Sequence, residues 1–87
     1  MLSKKLTINN PSGLHLRPAG VLSRAAMKFK SDIKIVCGEK EITAKSVLNV
    51  MAAGIKCGTE INLICDGPDE EEALKTLSEA IESGLGE

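Results

Sequence analysis

The stretch Ile33-Lys34-Ile35-Val36-Cys37-Gly38-Glu39-Lys40-Glu41-Ile42-Thr43-Ala44 decides what kind of fold this chain adopts. Ile33, Ile35 and Cys37 alternate with Lys34 and Val36, the period of two that sends successive side chains to opposite faces of a strand. Gly38-Glu39 permits a tight reversal, and Lys40–Ala44 continues as another strand carrying Ile42. Two strands joined this closely pair antiparallel, so at least part of the sheet is antiparallel.

Upstream, Lys4–Ile8 repeats the two-residue period, with Leu6 and Ile8 on one face. Asn9-Asn10-Pro11-Ser12-Gly13 then ends it with five consecutive turn formers. From Pro18 the period changes: Leu22, Ala25, Ala26 and Phe29 recur at three and four, as the buried stripe of a helix requires. Pro18 suits the first turn, where an amide has no intrahelical partner to lose. Downstream, Ser46 is placed to N-cap a short helix over Val47–Ala53, and Gly54 to end it. Glu60–Asp66 alternates Ile61, Leu63 and Cys65 as a fourth strand, broken by Gly67-Pro68. Asp69 with Glu72 reads as a capping box for a last helix, whose inward stripe is Ala73, Leu74, Leu77, Ala80 and Ile81, with Gly84 at its exit. The element order is β-α-β-β-α-β-α. Three amphipathic helices must bury their stripes on one face of the four-stranded sheet, giving an open-faced, two-layer α+β sandwich.

Size and composition narrow the function. The chain has 87 residues, enough for one modest core, so residues 1–87 are expected to form a single domain. With 43% hydrophobic and 26% charged residues it is globular, and Phe29 is its one aromatic side chain. A net charge of −1 and the missing aromatic platforms argue against nucleic-acid binding. No window approaches the ~20 apolar residues of a membrane span, and Met-Leu-Ser-Lys-Lys lacks the apolar run of a secretory signal. Cys37, Cys57 and Cys65 are odd in number and form no CxxC pair. A disulfide framework and a zinc site are therefore both disfavoured, and thiols buried in a reducing cytoplasm are expected. No metal and no organic cofactor is called for.

The chemistry concentrates in Gly13-Leu14-His15-Leu16-Arg17-Pro18-Ala19-Gly20, which holds the only histidine. His15 leaves a turn and meets a helix start, where unpaired amides and the helix dipole favour an anion. Arg17 adds a permanent charge and donors suited to phosphate oxygens. A single histidine with no neighbouring carboxylate is poorly equipped for a metal or a hydrolytic triad, and well equipped to accept and hold a phosphoryl group. A lone histidine near a helix start is more often a cap or surface residue, and a lone arginine a solvated charge. Local physics leaves both readings open.

The chain resembles the histidine-containing phosphocarrier (HPr) family of the bacterial sugar phosphotransferase system over essentially its whole length. The matching pieces are Ser12-Gly13-Leu14-His15, Arg17-Pro18-Ala19, Lys45-Ser46-Val47-Leu48, Val50-Met51, Gly54-Ile55 and the closing acidic-capped helix. The resemblance implies an antiparallel sheet of order 1-4-2-3. It implies that His15 accepts phosphate on Nδ1 from enzyme I and passes it to a sugar-specific IIA component. Arg17 would steady the phosphate oxygens, and Pro18 would fix the loop-to-helix junction. It further implies that Ser46 is a regulatory site for a serine kinase/phosphorylase, and that the phosphorylated form engages a catabolite-control repressor. Ser12, Leu16, Pro18, Arg24, Val47, Leu48 and Met51 would form the partner-binding patch. Cytoplasmic location and a monomeric state are expected. Leu16 departs from the small residue commoner in the family, and Gly20 from alanine, serine or threonine. The alternative is a mainly regulatory phosphoserine module, but family members of that kind lack the histidine.

Overall fold

A computed structural model of the chain describes residues 1–85. Its elements are β1 (Leu2–Thr7), α1 (Leu16–Ala26), β2 (Asp32–Cys37), β3 (Lys40–Thr43), α2 (Val47–Ala52), β4 (Glu60–Asp66) and α3 (Glu70–Glu82). The sheet order is β1-β4-β2-β3, and every neighbouring pair is antiparallel. Register follows the hydrophobic pattern. Ile35 stands opposite Ile42 on one side and Leu63 on the other, Ile33 opposite Cys65, and Leu6 opposite Ile61. All seven are buried. α3 packs on β1 and β4, α2 on β3 and α1, and α1 against both other helices. The opposite face of the sheet carries exposed Lys5, Lys34, Glu41, Glu60 and Asn62. Cross-strand ion pairs join Lys5 to Glu60 at 3.6 Å and Lys34 to Glu41 at 2.7 Å. The antiparallel, open-faced sandwich expected from the sequence is the fold.

Three local expectations need correction. α1 begins at Leu16, two residues before Pro18, and ends at Ala26, so Phe29 lies beyond it. Its buried stripe is Pro18, Ala19, Leu22, Ser23 and Ala26. Ala25 and Phe29 are half-buried at the margin. Proline is tolerated as the third helical residue because that amide still precedes the first intrahelical bond. Among the thiols only Cys65 is sealed. Desolvation, with smaller contributions from Glu70 and Asp69, pushes it up to about 11. Cys37 is half-buried and Cys57 exposed.

The third correction concerns Asp69. It occupies the N-cap of α3 but makes no side-chain cap bond. Its carboxylate instead accepts from the Lys30 amide at 2.8 Å, the Ser31 amide at 2.9 Å and the Ser31 hydroxyl. Glu70 accepts from the Gly67 amide at 3.2 Å, in the turn ahead of the helix, so it caps none of the first-turn amides either. Three donors in the turn before β2 outbid the helix's own amides, a choice that only the folded chain presents. The Ser31 hydroxyl, followed by the Lys30 and Ser31 amides, holds the Asp69 carboxyl below its ordinary range. A depressed folded-state value stabilises the fold above the ordinary aspartate range, and this stabilisation is lost as pH falls from that range through the folded-state value. Asp69→Asn is therefore expected to be less stable than the parent at neutral pH and to lose less between about pH 5 and pH 3. Parallel thermal melts across that window check this.

Candidate functional site

The loop before α1 is braced from two sides. The buried Asn10 side-chain amide donates to the Gly13 carbonyl, and the Gly13 amide donates to the Asn10 carbonyl at 3.0 Å. The Leu14 amide donates to the Ile55 carbonyl at 2.9 Å, tying the loop to the segment after α2. Gly13 has φ +67°, and a Cβ there would lie 2.5 Å from the Ile55 carbonyl oxygen and 2.9 Å from the Lys56 Cα. Leu14 is 2% exposed and belongs to the core. The chain is extended at the next residue (φ −76°, ψ −173°), so burial of Leu14 sends His15 outward. The two leucines flanking the histidine thus do different things: Leu14 anchors, while Leu16 is 66% exposed.

His15 is the N-cap of α1, yet its ring makes no cap hydrogen bond. Its carbonyl accepts the Ala19 amide at 2.8 Å, closing the first turn. Pro18 has no amide to offer, so the Leu16 and Arg17 amides are the two that open the helix without an intrahelical carbonyl. The first turn contains no acidic residue. An exposed histidine therefore immediately precedes two such amides at the positive helix end, with exposed Arg17 two residues on. This suits an incoming dianion. Among the described residues, no carboxylate forms an ion pair with Arg17 or Arg24; the ion pairs belong to Met1, Lys4, Lys5 and Lys34.

Beside the ring lies a notch of about 160 Å³ lined by Leu14, His15, Met51, Gly54, Ile55 and Lys56. Met51, 38% exposed, connects α2 to this site and is not part of an inward stripe; Val50 is the buried residue of that helix. Leu48 is 78% exposed. Val47 is half-buried and Ser12 and Arg24 are exposed. Pro18 is fully buried, so its contribution is to set the helix start, and it offers no surface for a partner. Lys56 was missed in the sequence, where it reads as one more solvated charge. The density of turn glycines around it, Gly54 and Gly58, was the available signal.

Ser46 N-caps α2, its hydroxyl oxygen accepting from the Asn49 amide at 3.3 Å. Its residue is half-buried. Neighbouring Lys45 points elsewhere, its ammonium donating to the Phe29 carbonyl at 2.8 Å. Among the described residues, no group of three or more His, Cys, Asp or Glu side chains is arranged to hold a metal, and no helix is long and apolar enough to cross a membrane.

Comparison with known proteins points to one family. Residues 2–83 match the family described as the PTS HPr component phosphorylation site. The chain is 45% identical over 74 residues to the phosphocarrier protein HPr of Mycoplasma capricolum, covering 85% of this chain and 83% of that one. It is 36% identical over 87 residues to the phosphocarrier protein HPr of Treponema pallidum, covering 100% and 99%. The crystal structure of HPr-C-His from Thermoanaerobacter tengcongensis superposes with a TM-score of 0.95 at 40% identity, covering 100% of this chain and 98% of that one.

Proposed function

The chain belongs to the HPr family of phosphocarriers of the phosphotransferase system, and from that premise we propose that His15 is its phosphoacceptor. In this reading enzyme I is the donor, a sugar-specific IIA component the recipient, and residues 1–87 one carrier domain working in the cytoplasm. The Nδ1 lone pair of His15 attacks phosphorus on the donor, a new N–P bond forms, and the bond to the donor breaks with its electron pair returning there. The same exchange then runs in the other direction toward the recipient. The Leu16 and Arg17 amides and the Arg17 guanidinium receive the phosphoryl oxygens. The observation that carries this reading is an exposed histidine at a helix N-cap whose ring spends no hydrogen bond on capping.

The test is incubation with enzyme I and phosphoenolpyruvate, which is expected to yield acid-labile, base-stable phosphate on the chain. Acid-stable phosphate alone, or none, sinks the proposal.

Docking falls to the exposed apolar residues Leu16, Leu48 and Met51, with half-buried Val47 beside them and Ser12, Arg17 and Arg24 as a polar and basic rim. Leu48→Asp is expected to slow transfer roughly tenfold while leaving the melting temperature nearly unchanged, because so exposed a side chain contributes little to folding. Stopped transfer assays beside a melting scan separate the two effects.

Ser46 acts as a cap when bare and a switch when modified by a serine kinase/phosphorylase. Added negative charge there repels an acidic enzyme I surface and favours a repressor with basic contacts. Ser46→Asp keeps an N-cap oxygen, so it should fold normally and accept phosphate from enzyme I roughly tenfold more slowly. An unchanged rate removes the electrostatic account.

A further inference from the structure

Among the described residues, the notch beside His15 has one permanently charged residue in its lining, Lys56, and no carboxylate. Backbone contacts hold Lys56 in place. The Ile55 carbonyl just before it accepts the Leu14 amide at 2.9 Å, and its own carbonyl accepts the Thr59 amide at 3.1 Å. Two residues on, the Gly58 amide donates to the Ile8 carbonyl at 2.7 Å. A Cβ at Gly13 would lie 2.9 Å from the Lys56 Cα, so Lys56 is set against the loop that delivers His15 two positions later. Its side chain is another matter. Lys56 is exposed, and among the described residues no hydrogen bond or ion pair engages its ammonium. Several other lysines are committed: Lys4, Lys5 and Lys34 to carboxylates, Lys40 and Lys45 to the Ala53 and Phe29 carbonyls. A fixed backbone beneath an uncommitted cation, in the wall of a cavity shared with a nucleophile, suits a negative guest on that nucleophile.

We propose that Lys56 is a second phosphoryl-binding side chain, whose ammonium reaches across the notch to the group carried by His15 and favours the loaded carrier over the empty one. This rests on the carrier reading above and deepens it. Arg17 and the first amides of α1 meet the phosphoryl oxygens from the helix; Lys56 meets them from the segment after α2. The bias toward the loaded form follows from charge. A bare, neutral imidazole gains nothing from a neighbouring ammonium, whereas a phosphoryl dianion on the ring accepts a charge-assisted hydrogen bond from it. A group shifts an equilibrium only by the difference in its interaction with the two states, and here the difference is nearly the whole interaction. Leu14, Met51 and Ile55 give the notch apolar walls, which weaken the screening of that attraction by water. The contact is made to phosphoryl oxygens, so the N–P bond forms and breaks as before.

The experiment brings the parent, Lys56→Gln, Lys56→Arg and Lys28→Gln to equilibrium with a fixed ratio of phosphoenolpyruvate to pyruvate over a trace of enzyme I. The loaded fraction is read as acid-labile phosphate, and each chain is also melted. Enzyme I only speeds the approach, so contacts with it cannot move the end point. Lys56→Gln should lower the ratio of loaded to empty carrier roughly fivefold and melt within a few degrees of the parent. Lys56→Arg keeps the charge and should stay within about twofold of the parent. Lys28→Gln removes an exposed lysine beyond the far end of α1, about 15 Å along the helix axis from His15, and should leave the ratio unchanged. A parent-like end point for Lys56→Gln overturns the proposal, and a raised KM for enzyme I beside it would move Lys56 to the partner surface. Equal shifts in Lys56→Gln and Lys28→Gln also overturn it, since they report net charge alone. So does a loss in Lys56→Arg as large as that in Lys56→Gln, or a collapsed melt for Lys56→Gln, which would make Lys56 a structural residue. A parent chain that takes up no phosphate defeats the carrier reading and this proposal with it; the other outcomes strike the proposal alone.

Discussion

His15→Ala is expected to take up no acid-labile phosphate from enzyme I while melting within a few degrees of the parent. The two halves of this expectation have separate causes. Loss of uptake follows because the chain has no second imidazole to substitute. Retention of the fold follows because the ring is exposed and makes no cap hydrogen bond. The bond that closes the first turn comes from the residue 15 carbonyl, which alanine keeps. Exposed substitutions that break no partner usually stay within about 0.5 kcal/mol. Labelled phosphoenolpyruvate with an acid wash, run beside a melt, reads both. Full uptake by this variant would move the acceptor elsewhere, and a collapsed melt would make His15 a structural residue.

The second large effect is on the scaffold beneath the ring. Gly13→Ala should destabilise the domain by about 2–4 kcal/mol and lower its melting temperature by roughly 10–25 °C. Part of this is the left-handed backbone at φ +67°, which an L side chain adopts at a cost of about 1 kcal/mol. The larger part is contact. The added Cβ would meet the Ile55 carbonyl oxygen and the Lys56 Cα, which are backbone atoms and cannot rotate away. To relieve the clash, the loop must lift from the 53–58 segment, loosening the Leu14–Ile55 hydrogen bond and carrying His15 with it. Phosphate uptake should therefore fall even at temperatures where the variant is folded. Gly38→Ala is the control for the backbone part: its φ is +62° and nothing lies within 4 Å of its Cβ position. A similar loss in both variants would show that the close approach at Gly13 contributes nothing.

How much of this was legible beforehand depends on how far apart in sequence the deciding groups lie. The hairpin from Ile33 to Ala44, the Glu60–Asp66 strand and the Ser46 cap rest on neighbours within a few residues, and each was readable from period or spacing. Asp69 was not. Its competing donors sit at Lys30 and Ser31, nearly forty residues away, and only folding brings them within reach. The sheet order is a non-local fact of the same kind, and it came from family likeness instead of pattern. Around the site, His15 and Arg17 could be picked out as reactive types at a helix start. The turn glycines hinted at a loop around Lys56, but not that Gly54, Ile55 and Lys56 wall the notch, because that segment arrives from the far side of α2. Nor does periodicity reveal that Ser23 and Ser78 are buried, since serine carries no apolar signal.

The idle ring of His15 has an evolutionary corollary. Since the exposed imidazole makes no cap hydrogen bond, heredity can exchange it without first repairing the architecture, and the scaffold can outlive whatever chemistry the ring performs. A lineage that discarded the imidazole would inherit an intact platform on which Ser46 and the neighbouring apolar side chains stayed open to new selection. Gly13 enjoys no such liberty, and it should be the slower of the two positions to drift.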